Sequence, residues 1–219
     1  MLSFDQLAAK SLYVAANLFA RPTGQILNYY YSRFQDAYRM EANGDARFIA
    51  MAEAIRFHVG GASSILDVSC HEGYGLAFLV RELGAEAAIG LDLSEVALER
   101  ARNRLTDVAS TLICFDLQRL YRHPDVGLPS LPCDVVIVSE TLYYLGLHWR
   151  IAGLRKDRKV RMIGALQRHA KKAVVLQHFG RDVRSPIGSV IADCGGHLVN
   201  EEWGIYILPG HAESVIQQC

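Results

Sequence analysis

Short apolar runs that alternate with helical segments constrain the fold of this chain more than any other feature of the sequence. The stretches between the runs place apolar residues at helical spacing. The five clearest runs lie at 64–69, 87–91, 111–115, 134–138 and 173–177. Strands that alternate with helices in this way form a parallel sheet with helices on both faces. The pattern therefore predicts a doubly wound α/β protein.

Two further strands and a helical N-terminal extension complete the predicted architecture. Strands are predicted at 197–208 and 213–217, which brings the sheet to seven strands. Residues 1–60 have the apolar spacing of two or three helices. A chain of 219 residues has the length of one domain. We therefore expect a single domain over 1–219, in which a helical cap precedes a core over 61–219.

Charge, cysteines and hydropathy exclude several classes of protein. Lys plus Arg and Asp plus Glu both number 23, so no overall basic field attracts nucleic acid or an anionic membrane. The five cysteines show no Cys-x-x-Cys pair and no zinc-like spacing. We expect them to be reduced core thiols of a cytoplasmic protein without a metal site. No apolar stretch has the length of a membrane span, and no signal peptide is recognisable.

Acidic residues and a glycine-containing turn follow the first three apolar runs. The turn at 67–75 leads into a helix, and such a turn lets backbone amides approach a ligand closely. Asp92 ends the second run, where a carboxylate can accept both hydroxyls of a ribose. Asp116 ends the third run, where an acceptor can bind an adenine amino group. Since the carboxyl ends of parallel strands meet at one edge, we expect a nucleoside site there. Taken singly, each acid can equally be a helix N-cap.

Three segments resemble motifs of the class I S-adenosylmethionine-dependent methyltransferases. They are ILDVSCHEGYG at 65–75, IGLDLSEVALERAR at 89–102 and DVVIVSETLYYL at 134–145, which are similar to the first, second and fourth motifs of that family. The resemblance covers roughly residues 60–180. It implies a Rossmann-like, seven-stranded, mostly parallel sheet and S-adenosylmethionine as the cofactor. The segment 139–145 is similar in particular to nodulation-factor N-methyltransferases and related small-molecule enzymes.

The resemblance implies that the first strand end holds the amino-acid part of the cofactor. Asp67 is expected to bind the methionine amino group, directly or through a water. The turn from Ser69 to Gly73 is expected to pass under the amino acid and the ribose. The family has glycine where this chain has Ser69 and His71, and the second glycine lets the backbone approach the cofactor. His71 therefore turns away from the cofactor, points towards the substrate, or weakens cofactor binding.

The resemblance assigns the nucleoside and the sulfonium to the other strand ends. Asp92 is expected to bind the ribose hydroxyls, and Leu93 to lie against the adenine. Asp116 is expected to bind the adenine amino group, with the Leu117 amide near a ring nitrogen. Ser139 is expected to lie near the methionine carboxylate or the sulfonium.

Candidate catalytic groups follow the fourth and fifth strands. Methyl transfer from a sulfonium is an in-line displacement, so an enzyme mainly aligns nucleophile, methyl and sulfur. A base is needed only for an acceptor that is protonated at the working pH. The candidate bases and orienting groups are Glu140, Tyr143, Tyr144, His148 and His178, with His71 as a further candidate. A structural or surface role is the alternative for each histidine, and packing is the alternative for each tyrosine.

Charged and aromatic segments elsewhere leave further alternatives open. Aromatic residues between 29 and 34 either pack as part of a helix or close the site against water. The first helix either packs internally or contacts a membrane surface or a second copy in a homodimer. A basic run forms either a solvated helix face or a surface for an anionic acceptor or partner. The run consists of Arg150, Arg155, Lys156, Arg158, Lys159 and Arg161.

The leading hypothesis is an S-adenosylmethionine-dependent enzyme that methylates an amine or hydroxyl of a small molecule, such as a natural product, a sugar or a glycoconjugate. A non-catalytic scaffold or interaction protein with the same fold is the alternative, because His71 replaces a glycine. A dinucleotide-dependent oxidoreductase is disfavoured, because the Gly-x-Gly-x-x-Gly spacing is missing after the first strand.

Overall fold

A seven-stranded sheet forms the centre of the computed structural model, which describes residues 3–19, 23–36, 45–129, 132–145, 156–178 and 186–211. The strands are β1 (Ser64–Asp67), β2 (Ala87–Asp92), β3 (Ser110–Cys114), β4 (Cys133–Ser139), β5 (Ala170–Gln177), β6 (His197–Asn200) and β7 (Ile205–Pro209). Their order is β3-β2-β1-β4-β5-β7-β6. Strands β1 to β5 pair in parallel, whereas β7 runs antiparallel to both β5 and β6. The predicted α/β fold with a Rossmann-like, mostly parallel sheet is confirmed.

Helices cover both faces of this sheet. They are α1 (Phe4–Phe19), α2 (Gly24–Arg33), α3 (Asp45–Val59), α4 (Tyr74–Leu83), α5 (Glu95–Arg104), α6 (Leu117–Arg122), α7 (Lys156–His169) and α8 (Pro186–Asp193). Successive residues of β4 point alternately into two apolar cores: Val136 and Val138 into one, Val135 and Ile137 into the other. The first core contains side chains of α6, α7 and α8, and the second contains side chains of α3, α4 and α5. Because both of its faces are buried, the central strand β4 is mostly apolar.

The N-terminal helices divide between the sheet and a separate small cluster. Helix α3 packs into the second core through residues such as Met51 and Ile55, which are fully buried. Helices α1 and α2 pack on each other instead, and the rings of Tyr13 and Tyr30 stack at 4.4 Å between centroids. A cap over 1–60 stays a prediction, and α1 and α2 are the part of it that lies outside the two sheet cores.

The C-terminal strand pattern differs from its prediction. A single strand over 197–208 is wrong, because residues 201–204 form a turn that joins β6 to β7. The backbone amide of Trp203 donates to the side-chain oxygen of Asn200 at 3.0 Å, and Gly204 has a φ of 59°. An asparagine side chain that accepts from a nearby backbone amide favours a turn, and so does a glycine, which adopts a positive φ without steric cost. The predicted strand at 213–217 lies outside the described residues.

The cysteines and the basic run also depart in part from their predictions. Cys70 and Cys133 are buried, but Cys114 is exposed at the end of β3, so a core thiol is wrong there. The reason is that β3 is an edge strand of the sheet. In the basic run, Lys159 is buried with 1% exposure, so a solvated helix face is wrong at this residue. Residues 150 and 155 lie outside the described part of the chain. None of the helices within the described ranges has the length and apolar character to cross a membrane.

Candidate functional site

A cavity opens at the carboxyl ends of the strands, between the sheet and the N-terminal helices. Its space, with the open mouth included, is about 610 Å³. Six residues predicted to bind the cofactor line it: Ser69, His71, Asp92, Leu93, Asp116 and Leu117. The structure therefore brings these residues of three strand ends together at one cavity, while their contacts with a ligand stay a prediction.

The turn after β1 requires glycine at one position. Asp67 accepts a hydrogen bond from the amide of Ser69 at 3.1 Å, which begins the turn. Gly73 follows with a φ of 77° directly before α4. A Cβ atom on Gly73 would lie 2.8 Å from the Cβ of Ala101 on α5. The missing side chain thus permits both the left-handed backbone and the close approach of α5.

His71 keeps the backbone conformation that glycine would have in this turn. Its φ is 51°, in the left-handed region, which costs a non-glycine residue about 1–2 kcal/mol. Its amide donates to Oδ2 of Asp92 at 3.0 Å. Its Nδ1 lies 2.6 Å from the hydroxyl oxygen of Tyr31, which reaches the cavity from α2. Burial lowers the pKa of His71 and so favours the neutral ring.

Asp92 is buried and already bonded to the two turns that surround it. It accepts from the His71 amide through Oδ2 and from the Ser94 amide through Oδ1, the latter at 2.8 Å. A carboxylate offers about four acceptor sites, so capacity remains for two hydroxyl donors. The side chain is 6% exposed and lines the cavity, so this remaining capacity is available to a molecule bound there.

Asp116 caps a helix and also lines the cavity. Its Oδ1 accepts from the amide of Gln118 at 3.0 Å, which makes Asp116 the N-cap of α6. The N-cap alternative therefore holds, and Asp116 lines the cavity at the same time. The neighbouring Phe115 and Leu117 add apolar wall, and both are largely buried.

Asp67 is buried at the end of β1, is not among the residues that line the cavity, and has an unusual proton affinity. Burial raises the pKa of its carboxyl to about 7, although the hydrogen bond from Ser69 lowers it. The charge of Asp92 raises this pKa further, and the buried cation of Arg47 lowers it. Asp67 therefore titrates near neutral pH, unlike an exposed aspartate.

Ser139 and Glu140 turn their side chains towards β5 and not to the cavity wall. The hydroxyl of Ser139 donates to Oε1 of Gln177 at 2.8 Å. Nε2 of Gln177 donates to Oε1 of Glu140 at 3.0 Å and to the carbonyl of Trp203 at 3.1 Å. Thr141 and Leu145, which follow in the same segment, do line the cavity. Gln177 was not predicted as a site residue; its signal in the sequence is an amide that ends the apolar run 173–177.

The other candidate catalytic groups lie apart from the cavity or outside the described residues. His178 follows Gln177, and its backbone amide donates to the carbonyl of Gly204 at 3.0 Å. Burial lowers the pKa of His178, which favours its neutral form. The side chains of Tyr143 and Tyr144 and all of His148 fall outside the described residues. Their roles, like those of Glu140 and His178, stay predictions.

Residues of the N-terminal helices form one wall of the cavity, and only some of them were predicted from the sequence. Tyr13 of α1 and Leu27 and Tyr31 of α2 line the cavity. Among the aromatic residues between 29 and 34, Tyr31 is thus the one that reaches the site. Helical spacing of aromatics was the available signal, but it does not show which ring faces a ligand. The described residues contain no group of three His, Cys, Asp or Glu side chains placed to hold a metal.

The sequence matches the profile of one protein family over residues 65–175, which is just over half of the 219 residues. That family is described as a methyltransferase domain. No curated protein matches the sequence.

Several solved structures share the fold. An O-methyltransferase family protein from Burkholderia thailandensis is 15% identical with a TM-score of 0.64, over 94% of this chain and 69% of that one. Magnesium protoporphyrin IX methyltransferase from Synechocystis PCC 6803, with S-adenosylmethionine bound, is 14% identical with a TM-score of 0.55, over 91% and 94%. The bifunctional kinase-methyltransferase WbdD is 15% identical with a TM-score of 0.56, over 81% and 42%. The present chain thus spans less than half the length of WbdD.

Proposed function

The chain belongs to the S-adenosylmethionine-dependent methyltransferase family, and on this premise we propose that it transfers the cofactor's methyl group to an amine or hydroxyl of a small molecule. The observation that carries the proposal is the placement of Asp92, Asp116 and the turn after β1 on one cavity. Ligands of α/β proteins bind at this edge of the sheet, where parallel strands end.

The lining of the cavity fits the nucleoside part of S-adenosylmethionine. Asp92 has acceptor capacity for the two ribose hydroxyls, and its burial strengthens such bonds. Leu93 and Phe115 provide apolar surface for the adenine ring, and Asp116 stands beside them as an acceptor for its amino group. From the family resemblance we assign the methionine amino group to Asp67, directly or through a water, and the methionine carboxylate or the sulfonium to the neighbourhood of Ser139, although neither side chain lines the cavity.

The chain's own part in the chemistry is alignment and exclusion of water. When bound, the cofactor supplies a methyl group on a sulfonium, which is a good leaving group. Tyr13 and Tyr31 stand over one side of the cavity and limit the access of water to it. Glu140 and His178 remain candidates for a base, and the neutral form of His178 is able to accept a proton. Tyr144 and His148 are further candidates.

A small-molecule acceptor is supported by the similar structures. Magnesium protoporphyrin IX methyltransferase is named for such an acceptor. The candidate acceptors are natural products, sugars and glycoconjugates that carry an amine or a hydroxyl, and the basic run makes anionic ones the first to test. We also propose a cytoplasmic location, which the free thiols of the described cysteines support.

Titration calorimetry with S-adenosylhomocysteine tests the proposal directly. We expect saturable heat from one site and a rise in melting temperature that grows with ligand concentration, because a ligand that binds the folded state stabilises it. Incubation of S-adenosylmethionine with a panel of amines and alcohols then identifies the acceptor by release of S-adenosylhomocysteine. Absence of both heat and thermal shift would contradict the proposal.

The substitution of glycine by His71 is the observation that favours a non-catalytic scaffold. Two features weaken that alternative: the backbone at His71 keeps a left-handed φ, and Asp92 remains buried at the cavity. A scaffold would show no binding of S-adenosylhomocysteine by the wild type and recovery of binding in His71→Gly.

Binding of S-adenosylhomocysteine should strengthen as the pH rises through neutrality. The pKa of Asp67 is about 7, and its ionised form is the one that attracts the ammonium group of the ligand. The ionised fraction rises about tenfold between about pH 6 and pH 8, so we expect Kd to fall by about the same factor. Calorimetry at several pH values measures this change. The matched variant Asp67→Asn should bind with a nearly constant Kd, and an equal pH dependence in that variant would refute the assignment.

A further inference from the structure

Tyr31 and His71 form a side-chain pair on the wall of the cavity. The hydroxyl oxygen of Tyr31 lies 2.6 Å from Nδ1 of His71, and Tyr31 is 1% exposed. Both residues line the cavity. Tyr31 belongs to α2, whereas His71 lies in the turn after β1, 40 residues further along the chain. The pair therefore connects the N-terminal helices to the turn that is proposed to pass under the cofactor.

The backbone and the ring of His71 have different surroundings. The amide donates to Oδ2 of Asp92 at 3.0 Å, and the φ of 51° gives the turn the path of a glycine. The ring nitrogen Nδ1 lies 3.9 Å from the same carboxylate oxygen, which is beyond hydrogen-bond distance. The same ring nitrogen thus lies next to the Tyr31 hydroxyl and close to the proposed ribose acceptor.

Helix α2 is held firmly enough to make the Tyr31 hydroxyl a fixed anchor. The guanidinium of Arg100, on α5, donates to the backbone carbonyls of Tyr31 and Phe34, each at 2.7 Å. The same guanidinium bonds to the carboxylate of Glu72, which follows His71 in the turn. Arg100 therefore joins the end of α2 to the turn, independently of the contact between the two rings.

We propose that Tyr31 is a positioning residue, whose hydroxyl holds the His71 ring against the cavity wall and so permits a histidine where the family has glycine. Rotation of the ring about its side-chain torsions changes the space that the cavity leaves for the nucleoside. The hydroxyl selects the orientation that leaves this space open. The inference rests on the proposed function, because the ligand it concerns is the methyl donor or its product.

A double-mutant cycle on the full chain tests this role, with S-adenosylhomocysteine as the titrant. Tyr31→Phe removes the hydroxyl and should raise Kd about fivefold, the effect of one hydrogen bond. His71→Gly should not raise Kd, because the held ring already leaves the nucleoside space open and the left-handed strain it relieves is common to the free and the bound protein. Within His71→Gly, the further change Tyr31→Phe should alter Kd by less than about twofold. The matched control Tyr29→Phe removes a hydroxyl from the same helix and should leave Kd unchanged.

The possible outcomes separate this inference from the proposed function. Equal effects of Tyr31→Phe in both backgrounds would show that the hydroxyl acts through packing of α2, and would overturn the inference alone. A Kd of Tyr31→Phe equal to that of the wild type would also overturn it. A rise in Kd for His71→Gly would show that the imidazole itself binds the ligand, contrary to the inference. A wild-type protein that gives no heat would overturn the proposed function as well.

Discussion

Replacing Asp92 with asparagine is expected to raise the Kd for S-adenosylhomocysteine about a hundredfold. Asp92 accepts one amide with each carboxylate oxygen, from His71 and from Ser94, and retains acceptor capacity towards the cavity. The asparagine amide group removes one of these acceptors and sets an N–H group against a backbone N–H. Loss of a hydrogen bond from a hydroxyl to a buried carboxylate costs about 1.5–3 kcal/mol, which corresponds to roughly ten- to a hundredfold in affinity. The N–H groups that face each other without an acceptor in this variant raise Kd further.

Calorimetry on Asp92→Asn and on a matched control measures this effect. The control is Glu95→Gln, which removes the same charge three residues away at the first, exposed position of α5. We expect its Kd to stay within about twofold of the wild type, because an exposed charge is screened by solvent. Equal Kd values for the two variants would mean that Asp92 acts through the general field and not by contact. Melting temperatures without ligand separate a loss of folding from a loss of binding.

The strands at the centre of the fold were predictable because both faces of a parallel sheet are buried. Such strands are apolar throughout, so their residues mark them directly in the sequence. Strand β2 was predicted at 87–91 and spans Ala87–Asp92, and β4 was predicted at 134–138 and spans Cys133–Ser139. The acids at the ends of these strands were predictable for the same reason, since the end of each run fixes where the next polar residue stands.

The features that were not predictable depend on contacts between distant parts of the chain. The turn at 201–204 lies inside the stretch 197–208 that was predicted as one strand, and the antiparallel pairing of β6 with β7 shows that this stretch is a hairpin. The side-chain amide of Gln177, at the end of β5, donates to the carboxylate of Glu140, which follows β4, and to the carbonyl of Trp203 in the hairpin turn. The pair of Tyr31 and His71 is separated by 40 residues. Helical or strand periodicity describes which face is buried, but it does not identify the partner.

Gly204→Ala is expected to lower the free energy of unfolding by about 4 kcal/mol, among the largest effects of a single substitution. Gly204 is buried, with a φ of 59°, and a Cβ there would lie 2.1 Å from the carbonyl oxygen of His178. Neither backbone can yield easily, because the amide of His178 donates to the carbonyl of Gly204. The methyl group must therefore push the turn between β6 and β7 away from the end of β5. That movement also strains the bond from Gln177 to the carbonyl of Trp203.

Urea unfolding of Gly204→Ala beside Gly84→Ala separates the steric clash from the backbone strain. Gly84 ends α4 with a φ of 66°, and a Cβ there would meet nothing within 4 Å. Its replacement should therefore cost about 1 kcal/mol, the cost of a left-handed alanine alone. The difference between the two losses of unfolding free energy, about 3 kcal/mol, is then the cost of the clash between the added methyl group and the carbonyl oxygen of His178. Equal losses of stability in both variants would mean that the turn moves freely, and that the hairpin does not fix the end of β5 beside the site.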